Sequence, residues 1–403
     1  MPTLLEDVPK HLIVDFDIFD DSIVETVHER QDELRKNTPL AYCPERGGYW
    51  MVSTYDDVYE VIRNDDIFSA AETALMVDGT LRLPPVHFDA PEHGHYRTLI
   101  NPFFSPSRIM AVQEAIRAKS AELVDKFASR GSCEFISEFA HPLPTITFLS
   151  LMGWPLEDLP KLTAWTESLI VGTSRETDEL MANRVVTQKQ VRVYFEQMLE
   201  ERRANPDADD VTGELLRAKY AGERPLTDDE LKRMFSLLMV AGLHTVRGIM
   251  AYGMIYLSQN PKERQKLIDD PSLIPTAVEE LLRMGVGSSP ARLVTKPVKI
   301  QGFELQPGDK VVTLISAANR DPAVFGDPNV LEVERKHNRH LSFAAGRHRC
   351  LGSNLARIEL NIALEELLRR IPDFHVDPAK PPRFHHSQVR GVLELHLKFT
   401  PET

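Results

Sequence analysis

The run Phe343-Ala344-Ala345-Gly346-Arg347-His348-Arg349-Cys350-Leu351-Gly352 places a thiol beside an imidazole, two guanidinium groups and two flexible backbone positions. A helical pattern follows at once, at Leu351, Leu355, Ile358 and Ile362, so Cys350 is expected at a helix N-terminus. The partial positive charge there and the free N–H groups favour thiolate over thiol, and thiolate is the form that binds metal. Gly346 and Gly352 let the backbone turn tightly and approach a planar group, and Phe343 can shield the sulfur from water. Arg347, His348 and Arg349 suit an anionic partner. Three other chemistries remain open to the same residues. A lone cysteine is most often a buried structural thiol. A zinc site could be assembled from His337, His340, His348 and Cys350, although paired C-x-x-C spacing is absent. A nucleophilic cysteine would need a histidine base held by a third group.

Other chemistry-bearing residues are weaker signals. Glu280 and Arg283 share a helix face, as do His93 and Arg97, and pairs at such spacing are ordinarily solvated. Thr245, in Ala241-Gly242-Leu243-His244-Thr245, has a plain reading as a side chain bonded to the carbonyl four residues back. The adjacent His385 and His386 read as surface histidines, and Trp50, Trp154 and Trp165 as core or rim.

These groups need a scaffold. Thr227 with Glu230 makes a capping box and Pro261 closes the far end, which predicts a helix over 227–260. At about 1.5 Å per residue such a helix is roughly 50 Å long and crosses a whole domain. A glycine inside it, Gly242, costs about 1 kcal/mol relative to alanine, and close approach by a flat ligand is one compensation. Most of 100–290 shows three-and-four apolar spacing. Val298, Ile300 and Val311 to Ile315, and later Leu393, Leu395, Leu397 and Phe399, alternate instead. The expected fold is mainly α with small β sheets, an α+β arrangement with minor sheets from about 292–320 and 389–399. No linker or internal repeat divides 1–403, which is expected to form one unit.

Composition narrows the function. The 403 residues carry 47 Lys+Arg against 60 Asp+Glu, a net charge of −13, which argues against nucleic-acid binding. Apolar residues make up 42% and charged residues 27%, ordinary globular usage. Three scattered cysteines, Cys43, Cys133 and Cys350, give no disulfide framework and fit a reducing cytoplasm. The acidic N-terminal region argues against a signal peptide, and the run Leu237 to Leu243 is far shorter than a membrane span.

The motif Phe-x-x-Gly-x-His-x-Cys-x-Gly resembles the haem-binding loop of the cytochrome P450 family, with Ala344 where bacterial members often carry glycine. The resemblance implies haem b with Cys350 as proximal iron ligand. It implies further that His93, Arg97, Arg292 and His348 hold the haem propionates, with Phe343, Gly346, Gly352, Ala241 and Gly242 around the cofactor. Glu280, Arg283 and Arg335 resemble the family's Glu-x-x-Arg element and its later arginine. Thr245 resembles the threonine that helps deliver protons during oxygen activation. Position 244 is usually Asp or Glu in the family; His244 either relays protons in its place or is a packed core histidine.

The implied activity is a monooxygenase inserting one atom of O2 into a small lipophilic substrate, with electrons from a ferredoxin and its NAD(P)H-dependent reductase. Docking is expected at Arg347, Arg349 and Arg357. Substrate contacts are expected at Leu75, Met76, Val77, Leu237, Val240, Ala241, Ser288, Ser289, Leu293, Gln388 and Val389. Rival readings are a haem-thiolate enzyme using peroxide or catalysing a rearrangement, and a non-catalytic ligand-binding protein.

Overall fold

The computed structural model describes residues 1–73, 75, 82–170, 178–204 and 209–402. Its axis is the helix Asp228–Gln259. Thr227 caps it: its side chain accepts from the Glu230 N–H, and the Glu230 carboxylate accepts from the Thr227 N–H at 2.8 Å. Asp228, Asp229 and Glu230 in the first turn oppose the helix dipole. Asn260 ends the helix and Pro261 starts the next, as the sequence predicts. The helices Pro142–Met152, Leu159–Ile170, Asp178–Ala204 and Ile274–Gly285 pack around it. By length and apolar content this helix could cross a bilayer, yet it runs through the protein interior, where its own neighbours cover it.

Beside the helical body lies a five-stranded sheet in the order Leu40–Cys43, Tyr49–Val52, Lys310–Thr313, Ala291–Val294, Phe68–Ser69. Lys310–Thr313 runs parallel to Tyr49–Val52, and the other pairings are antiparallel. The two strands before residue 60 are absent from the sequence expectation. Every residue in both is buried, so neither shows alternation. The expected C-terminal strand is in fact two. Gly391–Glu394 pairs with Arg383–His385, whereas His396–Lys398 pairs with His375–Val376 and Ser132–Glu134. Leu395 and Leu397 are core, but Leu393 faces outward on the first hairpin.

Glu280, Arg283 and Arg335 join the helical body to the segments that follow the sheet. Arg283 donates to both Glu280 oxygens at 2.8 and 2.7 Å, and Arg335 Nε reaches the same carboxylate at 3.1 Å. The Glu332 N–H and Asn338 amide also donate to it, while Arg283 Nη1 bonds the Asn319 and Pro328 carbonyls. Glu280 and Arg283 are fully buried. A buried carboxylate is tolerable with this many donors, and removing one partner of such a pair costs about 3–5 kcal/mol.

The helix Ser353–Arg370 leaves the cysteine loop and packs on Gln113–Asp125 and Ile274–Gly285. It contains a buried carboxyl, Glu359, whose Oε1 has no partner among the described residues. Burial raises its pKa to about 8. The folded state therefore binds this proton more tightly than the unfolded chain, so the group's stability contribution is full at acid pH and is lost as pH rises toward 8. Glu359→Gln removes that slope: relative to wild type, the variant should gain about 3–4 kcal/mol between pH 5 and pH 8. Urea-unfolding midpoints at the two pH values test this, and parallel pH dependences would exclude it.

Candidate functional site

Cys350 follows a short turn and precedes the N-cap of Ser353–Arg370, which is Gly352. Its N–H donates to the Phe343 carbonyl at 2.8 Å, closing the loop. Two torsions shape it. Gly346 has φ +70°, and a Cβ there would lie 2.9 Å from Arg63 Cα, so the loop is pressed against the end of the helix Tyr55–Arg63. Ala344 has φ +55°, a left-handed conformation in which an L side chain is disfavoured by roughly 1–2 kcal/mol. That torsion is why glycine suits the position. Gly346 is thus needed where the loop meets that helix, and around Gly352 no described residue lies within 4 Å of a Cβ position.

The Cys350 side chain is exposed in the open site. The protein packed around it pushes its pKa up, against the Gly352 N–H and the charges of Arg97, Arg349 and Arg357, which favour thiolate. The Phe343 ring, with the Arg357 guanidinium 4.5 Å from its centroid, is buried beside the loop.

His93, Arg97, Arg292 and His348 converge from separate elements. His93 and Arg97 share the helix Glu92–Ile100, Arg292 lies on the strand Ala291–Val294, and His348 is in the cysteine loop. His93 is buried, not solvated, and its ring centroid is 4.2 Å from that of His348. The Nε2 atoms of both histidines are buried without a partner among the described residues. Burial first, then the charges of Arg292, His93 and Arg97, push the His348 pKa down to about 3. Burial brings Arg292 down to about 10 despite Asp89 and Asp65. The nearby carboxylates are engaged elsewhere: Asp65 with Arg347 at 3.2 Å, Asp89 with Ser69 and the Ala70 N–H. The two imidazoles are therefore neutral beside the two guanidinium groups, and each keeps an unused ring nitrogen. A ligand carrying two carboxylates and a thiophilic metal matches both halves of this donor set.

The alternatives to such a ligand fare poorly. Both ring nitrogens of His340 are engaged, by Glu279 at 3.0 Å and by the Ser342 N–H. Among the described residues no three His, Cys, Asp or Glu side chains converge as metal ligands, so the zinc arrangement does not form.

On the central helix, Ala241 and Thr245 keep exposed surface although the helix is otherwise largely buried, and Leu237 and Val240 are half-buried. The Thr245 hydroxyl donates to the Ala241 carbonyl at 3.3 Å. His244 is buried, and its pKa is held well below the ordinary imidazole value by burial and by Arg247. Gly242 has a different reason from the one the sequence suggested: a Cβ there would lie 2.6 Å from the Phe148 ring, so a neighbouring helix, not a flat ligand, occupies the space.

Of the expected substrate contacts, Leu75, Ser288, Ser289, Gln388 and Val389 come together. Ser288 bridges Val389, and the Ser289 N–H donates to the Gln388 carbonyl at 2.8 Å. The Gln388 amide is fully used by backbone: it accepts from the Leu75 N–H at 2.8 Å and donates to the Thr73 and Ser289 carbonyls at 3.1 Å. Gln388 therefore ties the surrounding segments together, with both of its N–H donors committed to backbone carbonyls. Leu293 lies half-buried on the strand Ala291–Val294. Met76 and Val77 lie outside the described residues. Arg347 and Arg357 are committed to Asp65 and Glu279, and Arg349 is exposed with its carbonyl accepting from Arg97 at 2.7 Å. His385 and His386, expected at the surface, are both buried. Their sequence context, a polar loop, gave no sign of this.

The model of the family described as "Cytochrome P450" matches residues 177–399. The methyl-branched lipid omega-hydroxylase of Mycobacterium tuberculosis is 32% identical over 394 residues, 91% of this chain and 90% of that protein. The steroid C26-monooxygenase of Mycolicibacterium smegmatis is 30% identical over 374 residues, 91% of each. CYP109E1 from Bacillus megaterium, solved in complex with testosterone, superimposes with a TM-score of 0.86 at 29% identity, covering 93% of this chain and 98% of that one.

The contact at Gly242 separates two explanations. Alanine gains about 1 kcal/mol of helix propensity, but forcing a methyl against Phe148 costs about 1–3 kcal/mol. Gly242→Ala is therefore expected to lower the thermal midpoint of the protein; a higher midpoint would show that Phe148 does not set the requirement for glycine.

Proposed function

The chain belongs to the cytochrome P450 family, and from that premise we propose that it inserts one atom of O2 into a lipid-like substrate of fatty or steroid character, with electrons from a ferredoxin and its NAD(P)H-dependent reductase. As a member of the family it is a haem b monooxygenase. The observation that carries the site assignment is the convergence of two guanidinium groups and two imidazoles with unpartnered nitrogens on the cysteine loop. Cys350 would ligate the iron, and His93, Arg97, Arg292 and His348 would hold the propionates. When bound, haem supplies activation of dioxygen at a thiolate-ligated iron.

The chain's own residues do the rest. Arg97 and the Gly352 N–H act on the sulfur, and Phe343 packs beside the loop that carries it. The exposed stripe of Ala241 and Thr245 is the part of the central helix that would line a haem site. Thr245 holds a hydroxyl proton, resting on the Ala241 carbonyl at 3.3 Å, long enough for it to turn to a better acceptor. His244, neutral at ordinary pH, stands next to it where most members carry a carboxylate. Leu75, Leu237, Val240, Ser288, Ser289, Leu293 and Val389 supply the substrate walls, with the Gln388 amide holding three of those segments in register.

The lipophilic reading is supported by the half-buried apolar lining and by relatives named for lipid and steroid hydroxylation. Ferredoxin docking is assigned to the face around Arg349, because Arg347 and Arg357 already have acidic partners. The three free cysteines fit a cytoplasmic location. We read 1–403 as one unit organised on the central helix.

Purified protein reduced under carbon monoxide is expected to give the far-shifted absorbance of thiolate-ligated haem, and Cys350→Ser to lose it. Fatty acids and steroids titrated into the ferric protein should shift its absorbance as they displace water; a panel of both classes without any shift would overturn the substrate class. Thr245→Ala should raise peroxide released per NADH consumed while leaving that titration nearly unchanged. Unaltered coupling would remove Thr245 from proton delivery, and turnover of wild type by peroxide alone would favour the peroxide-using rival.

A further inference from the structure

Packing around the central helix is incomplete beyond Thr245. Between that helix, Ile274–Gly285 and Ser353–Arg370 lies a buried cavity of about 20 Å³. Ile249 and Gly253 of the first helix, Val278 and Leu281 of the second, and Leu360 and Ala363 of the third form its walls, and every other lining residue is apolar as well. Small residues leave the space open. Gly253 presents no side chain and Ala363 only a methyl group. Leu281, whose Cδ1 lies 3.2 Å from where a Gly253 Cβ would stand, leans over the glycine without filling the rest.

Size and chemistry together limit what can enter. One small molecule needs about 10–15 Å³ of such space, so the volume admits one and excludes any lipid-like substrate. Water would need two to four polar partners, and these side chains offer none. Atoms lining a gap forfeit dispersion contacts, which a compact apolar molecule restores. Position in the fold narrows the choice further. Ile249 follows Thr245 by one helical turn, about 6 Å along the axis, on the same side of the helix. Met250 and Met254 are buried, whereas Ile249 is only half-buried. Ile249 therefore borders both the cleft lined by Ala241 and Thr245 and the cavity behind it. On the opposite wall, Leu360 and Ala363 belong to the helix that begins at Ser353, just after Cys350.

We propose that this cavity is a binding site for one molecule of an apolar gas, and that dioxygen is the gas it takes. The choice of dioxygen rests on the monooxygenase reading above, since dioxygen is the apolar diatomic such an enzyme consumes; the capacity for a gas rests on the cavity alone. Dioxygen carries no charge and no dipole, so leaving water for these walls costs it no polar contact. The molecule is held by dispersion only, so binding is weak, reversible and proportional to dissolved gas. Xenon, which is compact and cannot hydrogen-bond, reports the same property of the walls.

Crystals of the wild-type holoenzyme pressurised with xenon test the cavity. One xenon atom among Ile249, Val278 and Ala363 is expected, and an empty cavity at a pressure that loads a known xenon-binding protein overturns the proposal. A second set of crystals pressurised with dioxygen tests the gas. Density at the same position supports it, and xenon without dioxygen overturns the assignment to dioxygen. Val278→Ile and Ala363→Val each add carbon to a different wall and should cut xenon occupancy at least twofold. Their ferrous carbon monoxide spectra should match wild type, which shows that the cysteine loop is undisturbed. Two variants guard against a packing defect in either one, and wild-type xenon occupancy in both overturns the site. A protein purified without thiolate-ligated haem would sink the enzymatic reading and with it the choice of dioxygen, while the xenon result stands or falls separately.

Discussion

The structure depends on a concentration of hydrogen-bond donors: the guanidinium groups of Arg97 and Arg292 and the imidazoles of His93 and His348, both kept neutral by burial and by those charges, brought together inside a strongly acidic protein. Burying charge and unpartnered polar groups in this way is costly to the bare fold. A dianionic porphyrin held as proposed above would turn that cost into binding energy.

The scaffold that holds these groups is itself pinned by one carboxylate. Glu280 gathers two arginines, an asparagine and a backbone N–H, and through Arg283 and Arg335 it reaches the carbonyls of Asn319, Phe325 and Pro328. These segments lead from the sheet to the cysteine loop. Next to it, Glu279 binds Arg357 and His340, which flank the loop itself. Two consecutive acidic residues on one helix therefore fix the position of the sulfur, by hydrogen bonds to side chains distant in sequence.

How much of this could be read in the sequence varied with how local the cause is. The central helix was legible to its last residue because the capping box and Pro261 are adjacent signals. The cysteine loop was legible as a motif. Strands Leu40–Cys43 and Tyr49–Val52 were not, because burial on both faces erases alternation. The burial of His385 and His386 was invisible, since it depends on a hairpin laid against a helix far away in the chain. Gly242 and Gly346 were correctly singled out but for the wrong neighbour: the atoms that need the space belong to Phe148 and Arg63, and only a fold brings those near.

The knot at Gln388 has an evolutionary corollary. One amide side chain joins the backbone at Thr73 and Leu75 to that at Ser289, so that three stretches far apart in sequence, its own included, meet there. Diversification of the cavity mouth is consequently coupled: lengthening any single one of these stretches breaks a tie shared by the others. Descendants with new ligand preferences would have to remodel all three together, or first give up the glutamine.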